Sequence, residues 1–140
     1  MSVEENKAAI RRIYEEVFNK GNLAVADEII ATNWVARAPG GQEYRDPDGF
    51  KQFITMTRNA FPDLQMTLED IVAEGDKVAH CATLQGTFKG EIMGIAPTGK
   101  QVTMTTTTIS RFEGGKEVEA RMIYDQLSMY QQMGVSPPTG

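Results

Sequence analysis

Hydrophobic positions in the first part of the chain recur every three or four residues, which is the spacing of an amphipathic helix. Ser2 and Glu5 form a capping-box pattern in front of the first such run, and Gly21 ends it. The apolar face of this run comprises Ile10, Ile13, Tyr14, Val17 and Phe18. The sequence therefore predicts a first helix with one face in water and the other in the core.

Two further helices are predicted before the chain changes character. Asn22 can cap a short second helix that runs to about Ile30. A short strand and a loop rich in glycine and proline follow. Asp46 then caps a third helix with Pro47 in its first turn, and Phe61-Pro62 ends that helix.

Beyond the third helix the hydrophobic period becomes two, as in Leu64, Met66 and Leu68, which indicates β-strands. The predicted strands cover about residues 64–73, 77–88, 101–112 and 116–124. Most of the turns between them are short, so successive strands are expected to be antiparallel neighbours. Asp125 precedes a short last helix, which Gly134 ends. The predicted class is α+β, with a curved antiparallel sheet wrapped on three N-terminal helices.

Length and charge restrict the function. The 140 residues are predicted to form a single domain, with a core at about residues 3–134 and a tail at 135–140. A net charge of -5 without a basic cluster argues against nucleic-acid binding. The single cysteine, Cys81, cannot form an intrachain disulfide, and the charged N-terminal residues argue against a signal peptide. We therefore expect a cytoplasmic protein with no membrane span.

Two candidate ligand motifs are weak. Gly94 to Lys100 match the spacing of a phosphate-binding loop, but Gln101 stands where a Mg²⁺-binding hydroxyl is needed and the segment leads into a strand. His80 and Cys81 are consecutive residues of a predicted strand, so they face opposite sides and cannot easily share an ion. Neither a metal nor a cofactor is expected.

The last two predicted strands indicate a pocket. Alternation on the final strand places one apolar set on a single face: Val118, Ala120, Met122 and Tyr124. This set is predicted to face the interior. The preceding strand adds Thr106 and Thr108, although the high strand propensity of threonine explains them equally well. His80 is either a structural histidine or an acid or base of the pocket. The alternation does not decide between these roles, because it does not fix which face of the strand His80 occupies.

Four stretches of sequence carry a resemblance to a known family. They are IRRIYEEVFNKGNLAVADEII, FKQFITMTRNAFPDLQMTLEDIVAEGDKVA, GEIMGIAPTGKQVTMT and GGKEVEARMIYDQLSMYQQMG. Together they resemble the SnoaL-like polyketide cyclases, in the superfamily of nuclear transport factor 2 and ketosteroid isomerase. The resemblance implies a cone-shaped α+β barrel with an apolar cavity open at one end, and a homodimer.

The resemblance also implies a chemistry. Cyclases of this type close a ring by intramolecular aldol condensation without a metal or cofactor, and a carboxylate in the cavity moves the proton. By position, the aspartate that does so in the family falls on Met122, and a histidine two residues earlier falls on Ala120. Other polar positions of the family fall on Ala36, Arg37, Thr106, Thr108 and Asp125. Asp125 also stands where it would cap the final helix.

Two functions are open from the sequence. The first is a cofactor-independent cyclase or isomerase that enolises a hydrophobic carbonyl compound. Its proton would pass through His80, Tyr124 or Asp125, and Arg37 would stabilise an enolate. The second is a protein that binds a hydrophobic small molecule without turnover. Both use the same predicted pocket lining: Phe18, Trp34, Phe53, Met104, Met122 and Tyr124. In addition, the outer sheet face, which includes Thr103, Thr105 and Ile109, is a candidate interaction surface for homodimerisation or for another partner.

Overall fold

The computed structural model describes residues 2–136. Its helices are α1 (Val3–Arg12), α2 (Ala24–Ile29), α3 (Asp46–Ala60) and α4 (Gln126–Met133). Its strands are β1 (Ile30–Ala38), β2 (Gln42–Arg45), β3 (Gln65–Glu74), β4 (Lys77–Thr87), β5 (Gln101–Glu113) and β6 (Lys116–Tyr124). The α+β class predicted from the hydrophobic periods is confirmed. Of the predicted tail at 135–140, the part at 137–140 lies outside the described residues.

The starts of α1 and α3 follow from their capping residues, whereas α2 begins after Leu23 without a side-chain cap. The Ser2 hydroxyl accepts a hydrogen bond from the Glu5 backbone N–H at 3.1 Å, as the capping-box pattern predicts. At the start of α3, the Asp46 carboxylate accepts from the Gly49 backbone N–H at 3.0 Å. α1 continues directly into a π-helical segment, Ile13–Phe18, which the sequence pattern does not distinguish from an α-helix.

The sheet has six strands in the order β2-β1-β6-β5-β4-β3 and is curved and unclosed. Every neighbouring pair is antiparallel except β1 and β6, which run parallel with Ala36 opposite Ala120. The sheet is therefore mixed, not wholly antiparallel as expected. Short turns set the direction of consecutive strands only, and β1 and β6 are far apart in sequence. β2, at four residues, lies in the segment predicted as a loop.

The helices pack on the concave face of the sheet and form the core with it. Among the most deeply buried core side chains are Ile10, Val17, Ile54, Val78 and Val102. Full burial of each such side chain contributes about 1.5–3 kcal/mol. The opposite face carries exposed Val72, Ile109 and Ile123.

α3 is the longest helix of the described part of the chain, with 15 residues. None of the helices within residues 2–136 combines the length and the apolar composition needed to cross a membrane.

Candidate functional site

A cavity of about 120 Å³ lies between the helices and the concave face of the sheet, and its wall is almost entirely apolar. The predicted pocket residues on its wall are Phe18, Trp34, Phe53, Met104, Thr106, Thr108, Ala120, Met122 and Tyr124, whereas Arg37 and Val118 are not part of it. His80, the candidate acid or base, also lies on the wall. The partly exposed residues Gln42, Tyr44 and Met93 mark its open end.

Two predicted site residues lie away from the cavity wall. The Arg37 side chain is half exposed and forms ion pairs with Glu43 at 3.5 Å and Glu119 at 3.7 Å. The Asp125 carboxylate accepts the Ser128 backbone N–H at 2.9 Å and caps α4. Arg37 thus lies outside the cavity wall, and Asp125 serves as the N-cap of α4.

Aromatic contacts position the helical side of the cavity. Tyr14 stacks on Phe18 with ring centroids 5.7 Å apart, and Phe18 meets Phe53 edge to face at 6.2 Å. Arg58 donates to the Phe18 carbonyl oxygen at 2.6 Å and so ties α3 to the end of the π-helical segment. This segment turns Tyr14 toward the sheet, where the side chain is buried.

A β-bulge in β6 turns an acidic side chain into the cavity. On β5, Arg111 is paired with Glu119, whereas the next residue, Phe112, is paired with Glu117. Val118 is the extra residue, so the alternation of facing breaks between Glu117 and Glu119. Strict alternation would have placed Glu117 on the outer face. Instead its side chain is only 3% exposed and lies on the cavity wall.

Buried polar groups connect the helical side of the cavity to this carboxyl group. The Tyr14 hydroxyl lies 2.6 Å from His80 Nδ1, and His80 Nε2 lies 2.9 Å from Ser110 Oγ. Ser110 also lies beside Glu117 and stabilises its carboxylate, and the Trp34 indole N–H donates to Glu117 Oε2 at 2.9 Å. We call the residues Tyr14, His80, Ser110 and Glu117 the buried polar chain. Within residues 2–136, every buried side-chain nitrogen and oxygen has a hydrogen-bond partner.

The structure decides the face of His80, which the sequence left open. His80 is opposite Thr108 across the β4–β5 pair, and both side chains point into the cavity. Burial lowers the pKa of His80 to about 4, because a charged imidazole is poorly solvated there. The ring is therefore neutral near pH 7, with one donor and one acceptor nitrogen.

Burial moves the pKa of Glu117 in the opposite direction, to about 7. Hydrogen bonds from Ser110 and Trp34 stabilise the carboxylate and oppose part of this rise. Burial and the nearby Glu117 charge also raise the pKa of Tyr14, which keeps the phenol protonated. At neutral pH, Glu117 is thus the group of the buried polar chain that can both gain and lose a proton.

The family model for SnoaL-like polyketide cyclases matches residues 8–133. The chain belongs to the SnoaL-like polyketide cyclase family. The resemblance seen in the four stretches of sequence is confirmed. No curated protein matches the chain.

Solved structures extend the comparison for this SnoaL-like protein. IdmH from Streptomyces antibioticus, a candidate polyketide cyclase, is 36% identical, with 93% of this chain and 99% of that chain covered and a TM-score of 0.79. A candidate polyketide cyclase from Acidithiobacillus ferrooxidans is 31% identical, with coverages of 96% and 98% and a TM-score of 0.81. A SnoaL-like protein from Jannaschia sp. CCS1 has a TM-score of 0.87 at 23% identity, with coverages of 96% and 94%, and supports the fold alone.

The site of this SnoaL-like protein contains acid–base groups but no cluster of metal ligands. Within residues 2–136, no three His, Cys, Asp or Glu side chains come together as ligands for an ion. Met122 lies on the cavity wall, and the carboxyl group comes from Glu117, earlier on the same strand. Tyr14, Ser110 and Glu117 are the site residues that the sequence analysis did not identify. Together with His80, they offer proton donors and acceptors in a dry environment.

Proposed function

We propose that the protein binds a hydrophobic carbonyl compound in this cavity and promotes its enolisation, leading to aldol cyclisation or isomerisation in the cytoplasm. The observation that carries the proposal is a titratable carboxyl group, Glu117, in a predominantly apolar cavity. Membership of the SnoaL-like polyketide cyclase family supports this class of substrate. The 36% identity to IdmH, a candidate polyketide cyclase, supports it further.

A carboxyl group with a pKa near 7 suits this chemistry. An acid–base catalyst works best when its pKa is close to the ambient pH, since both protonation states are then available. An ordinary glutamate is ionised at neutral pH and is a weak base, whereas burial makes Glu117 a stronger one. On this proposal, Glu117 takes the part of the family aspartate whose position is occupied by Met122.

The volume of the cavity limits what it can enclose. An engineered apolar cavity of roughly 150 Å³ in another protein holds benzene. The cavity here, at about 120 Å³, therefore has room for one small ring or a short acyl end. The rest of a larger ligand would extend past Gln42, Tyr44 and Met93 at the open end. Met104 and Met122 on the wall have flexible side chains that can widen the cavity.

The proposal is tested by deuterium incorporation next to the carbonyl group of aromatic β-keto esters in D₂O. We expect the purified protein to accelerate the exchange over buffer, and Glu117→Gln to slow it by about a hundredfold, because the glutamine amide cannot take up the proton. Asp125→Asn is expected to retain the rate, because asparagine also caps a helix. A panel of hydrophobic carbonyl compounds with no accelerated exchange would refute enolisation.

A second candidate function is binding without turnover. It is favoured by the lowered pKa of His80, which makes this imidazole a weak base, and by the predominantly apolar wall. In that case, a β-keto ester raises the melting temperature of the protein without any exchange at its α-carbon. Native mass spectrometry of freshly purified protein would then show a small molecule that remains bound.

A further inference from the structure

We propose that the buried polar chain is a reversible proton shuttle, in which Tyr14 exchanges a proton with the ligand and Glu117 stores it. Ser110 and His80 pass the proton between them. The inference rests on the proposed function for the identity of the ligand, and it adds the atoms through which the proton moves.

Each nitrogen of the His80 imidazole ring is hydrogen-bonded to a different hydroxyl group. The Tyr14 hydroxyl lies 2.6 Å from Nδ1, and the Ser110 hydroxyl lies 2.9 Å from Nε2. Because the ring is neutral, one nitrogen donates and the other accepts. The direction of the hydrogen bond at one nitrogen therefore fixes the direction at the other.

The hydrogen bonds of the buried polar chain can run in two opposite directions, and in each direction every group has a hydrogen-bond partner. When Glu117 is ionised, Ser110 donates to the carboxylate, His80 Nε2–H donates to Ser110, and Tyr14 donates to Nδ1. When Glu117 is protonated, every bond reverses. Glu117 then donates to Ser110, Ser110 donates to Nε2, and Nδ1–H donates to Tyr14. The phenolic hydrogen is released toward the cavity only in the second direction.

In the first direction, with Glu117 ionised and Tyr14 donating to Nδ1, the Tyr14 oxygen can accept a proton from the ligand. As the ligand C–H bond breaks, its proton goes to the Tyr14 oxygen, and the electron pair stays on the ligand as an enolate. In concert, the phenolic proton moves to Nδ1, the Nε2 proton moves to Ser110, and the serine proton moves to Glu117. One proton has then left the ligand, and the carboxylate has become a carboxylic acid.

In the second direction, with Glu117 protonated, the buried polar chain returns the proton to the ligand. The enolate carbon attacks a second carbonyl group of the same ligand, which forms the new C–C bond and an alkoxide. Tyr14 gives its proton to the alkoxide oxygen, and the three transfers along the chain run backward until Glu117 is ionised again. Over the cycle, one C–H bond and the π bond of one C=O group are replaced by one C–C and one O–H bond, with no oxidant or reductant.

The charge of Glu117 depends on few neighbours. Trp34 faces it from β1 and Ser110 from β5, and both are neutral hydrogen-bond partners. His80 from β4 and Tyr14 from the helical segment are also neutral near pH 7. In the described part of the chain, no lysine or arginine is within ion-pair distance of Glu117.

The charged residues next to it on β6 are directed elsewhere. Lys116 donates to the Asp27 carbonyl oxygen at 3.0 Å, and Glu119 pairs with Arg37. Glu117 has a pKa of about 7, so both its protonation states are populated near neutral pH. Both hydrogen-bond directions of the buried polar chain are therefore accessible there.

The shuttle is tested through the histidine tautomer, and His80 is the only histidine of the sequence. In ¹⁵N-histidine-labelled protein without ligand, long-range ¹H–¹⁵N spectra report which ring nitrogen carries the proton. We expect protonated Nδ1 at about pH 5.5 and protonated Nε2 at about pH 8.5, with the change centred near the pKa of Glu117.

Variants connect this change to the chain. Glu117→Gln and Ser110→Ala are each expected to abolish the pH-dependent change of tautomer. Glu119→Gln, which removes the neighbouring, partly exposed carboxylate, is expected to keep this change. One tautomer throughout this pH range in the unmodified protein would overturn the shuttle even if a variant fails to fold. A change of tautomer that persists in Glu117→Gln would overturn it as well.

The tautomer experiment tests the shuttle, and the exchange experiment tests the proposed function, so each can be refuted without the other. If the tautomer changes as expected but no carbonyl compound exchanges its α-proton, the proton pathway stands and the proposed function is wrong. If exchange occurs while His80 keeps one tautomer, the function stands and the shuttle is wrong.

Discussion

Glu117→Gln removes the buried ionisable group while retaining its shape. The glutamine carbonyl oxygen can still accept from the Trp34 indole, which lies 2.9 Å from the carboxylate in the unmodified protein. The substitution therefore changes mainly the protonation energetics of the site. Its effect on the free energy of unfolding is expected to depend strongly on pH.

The size of the effect follows from the pKa of Glu117, which burial raises from 4.5 to about 7. Between these values the native state holds a proton that the unfolded state has lost, so stability decreases as pH rises. A tenfold difference in proton affinity between the two states corresponds to about 1.4 kcal/mol, so the full loss is about 3 kcal/mol by pH 7. His80 acts in the opposite direction: its pKa is lowered from 6.5 to about 4, so its contribution to stability is lost as pH falls through this range.

The two contributions overlap, and comparison of two proteins separates them. We would measure urea unfolding of the unmodified protein and of Glu117→Gln at several values between about pH 4.5 and about pH 8. His80 is present in both proteins, so its contribution cancels in the difference. Glu117→Gln is expected to gain about 3 kcal/mol relative to the unmodified protein over this range.

Glu119→Gln is the matched control for this measurement. It removes a partly exposed ion pair with Arg37, which contributes about 0–1 kcal/mol, and the difference from the unmodified protein should vary little with pH. If the curves of the unmodified protein and Glu117→Gln run parallel at all pH values, Glu117 does not have a raised pKa in the native state.

Three further predictions concern packing and assembly. Trp34→Phe removes the indole donor to Glu117, and we expect urea unfolding to show a loss of about 1–3 kcal/mol above pH 7. Gly90→Ala places a methyl group against a backbone carbonyl of the last turn of α3 and should lower the melting temperature, whereas Gly49→Ala has ordinary contacts and should not. Ile123→Lys adds a charge to the exposed sheet face and should convert the expected homodimer to a monomer in light scattering. A monomeric unmodified protein would contradict that expectation.

Local patterns were sufficient to predict much of the fold. The spacing of three and four residues identified α1 and α3, and the period of two identified β3 to β6, because these elements each bury one face. Alternation along β6 also brought Met122 and Tyr124 to the cavity. These predictions depend only on neighbours in sequence and on the contrast between apolar and polar side chains.

The missed features depend on contacts between distant segments. The parallel pairing of β1 with β6 involves no turn, so the sequence contains no local signal for its direction. Tyr14 and His80 are separated by 66 positions, and their hydrogen bond exists only after the helical segment packs on β4. A buried tyrosine hydroxyl does need a partner, and this requirement was the available signal.

The β-bulge at Val118 is the feature of β6 that the alternation pattern did not predict, and it decides where Glu117 points. One extra residue leaves the composition of β6 unchanged, yet it moves Glu117 from the outer face to the cavity. The buried indole of Trp34 gave an indirect signal, because its N–H also requires an acceptor in the core. Strict alternation along β6 places Glu117 on the outer face, so Asp125 was the only carboxylate predicted for the pocket.

Infrared spectroscopy of the carboxyl groups tests most directly whether an acidic side chain is kept inside the cavity and changes its protonation near neutral pH. At about pH 6, where ordinary glutamates are ionised, we predict a C=O band of a protonated carboxylic acid that is lost at about pH 9 and is missing from Glu117→Gln. Absence of this band at about pH 6, or its persistence in Glu117→Gln, would contradict the assignment of Glu117 as the proton store of the site.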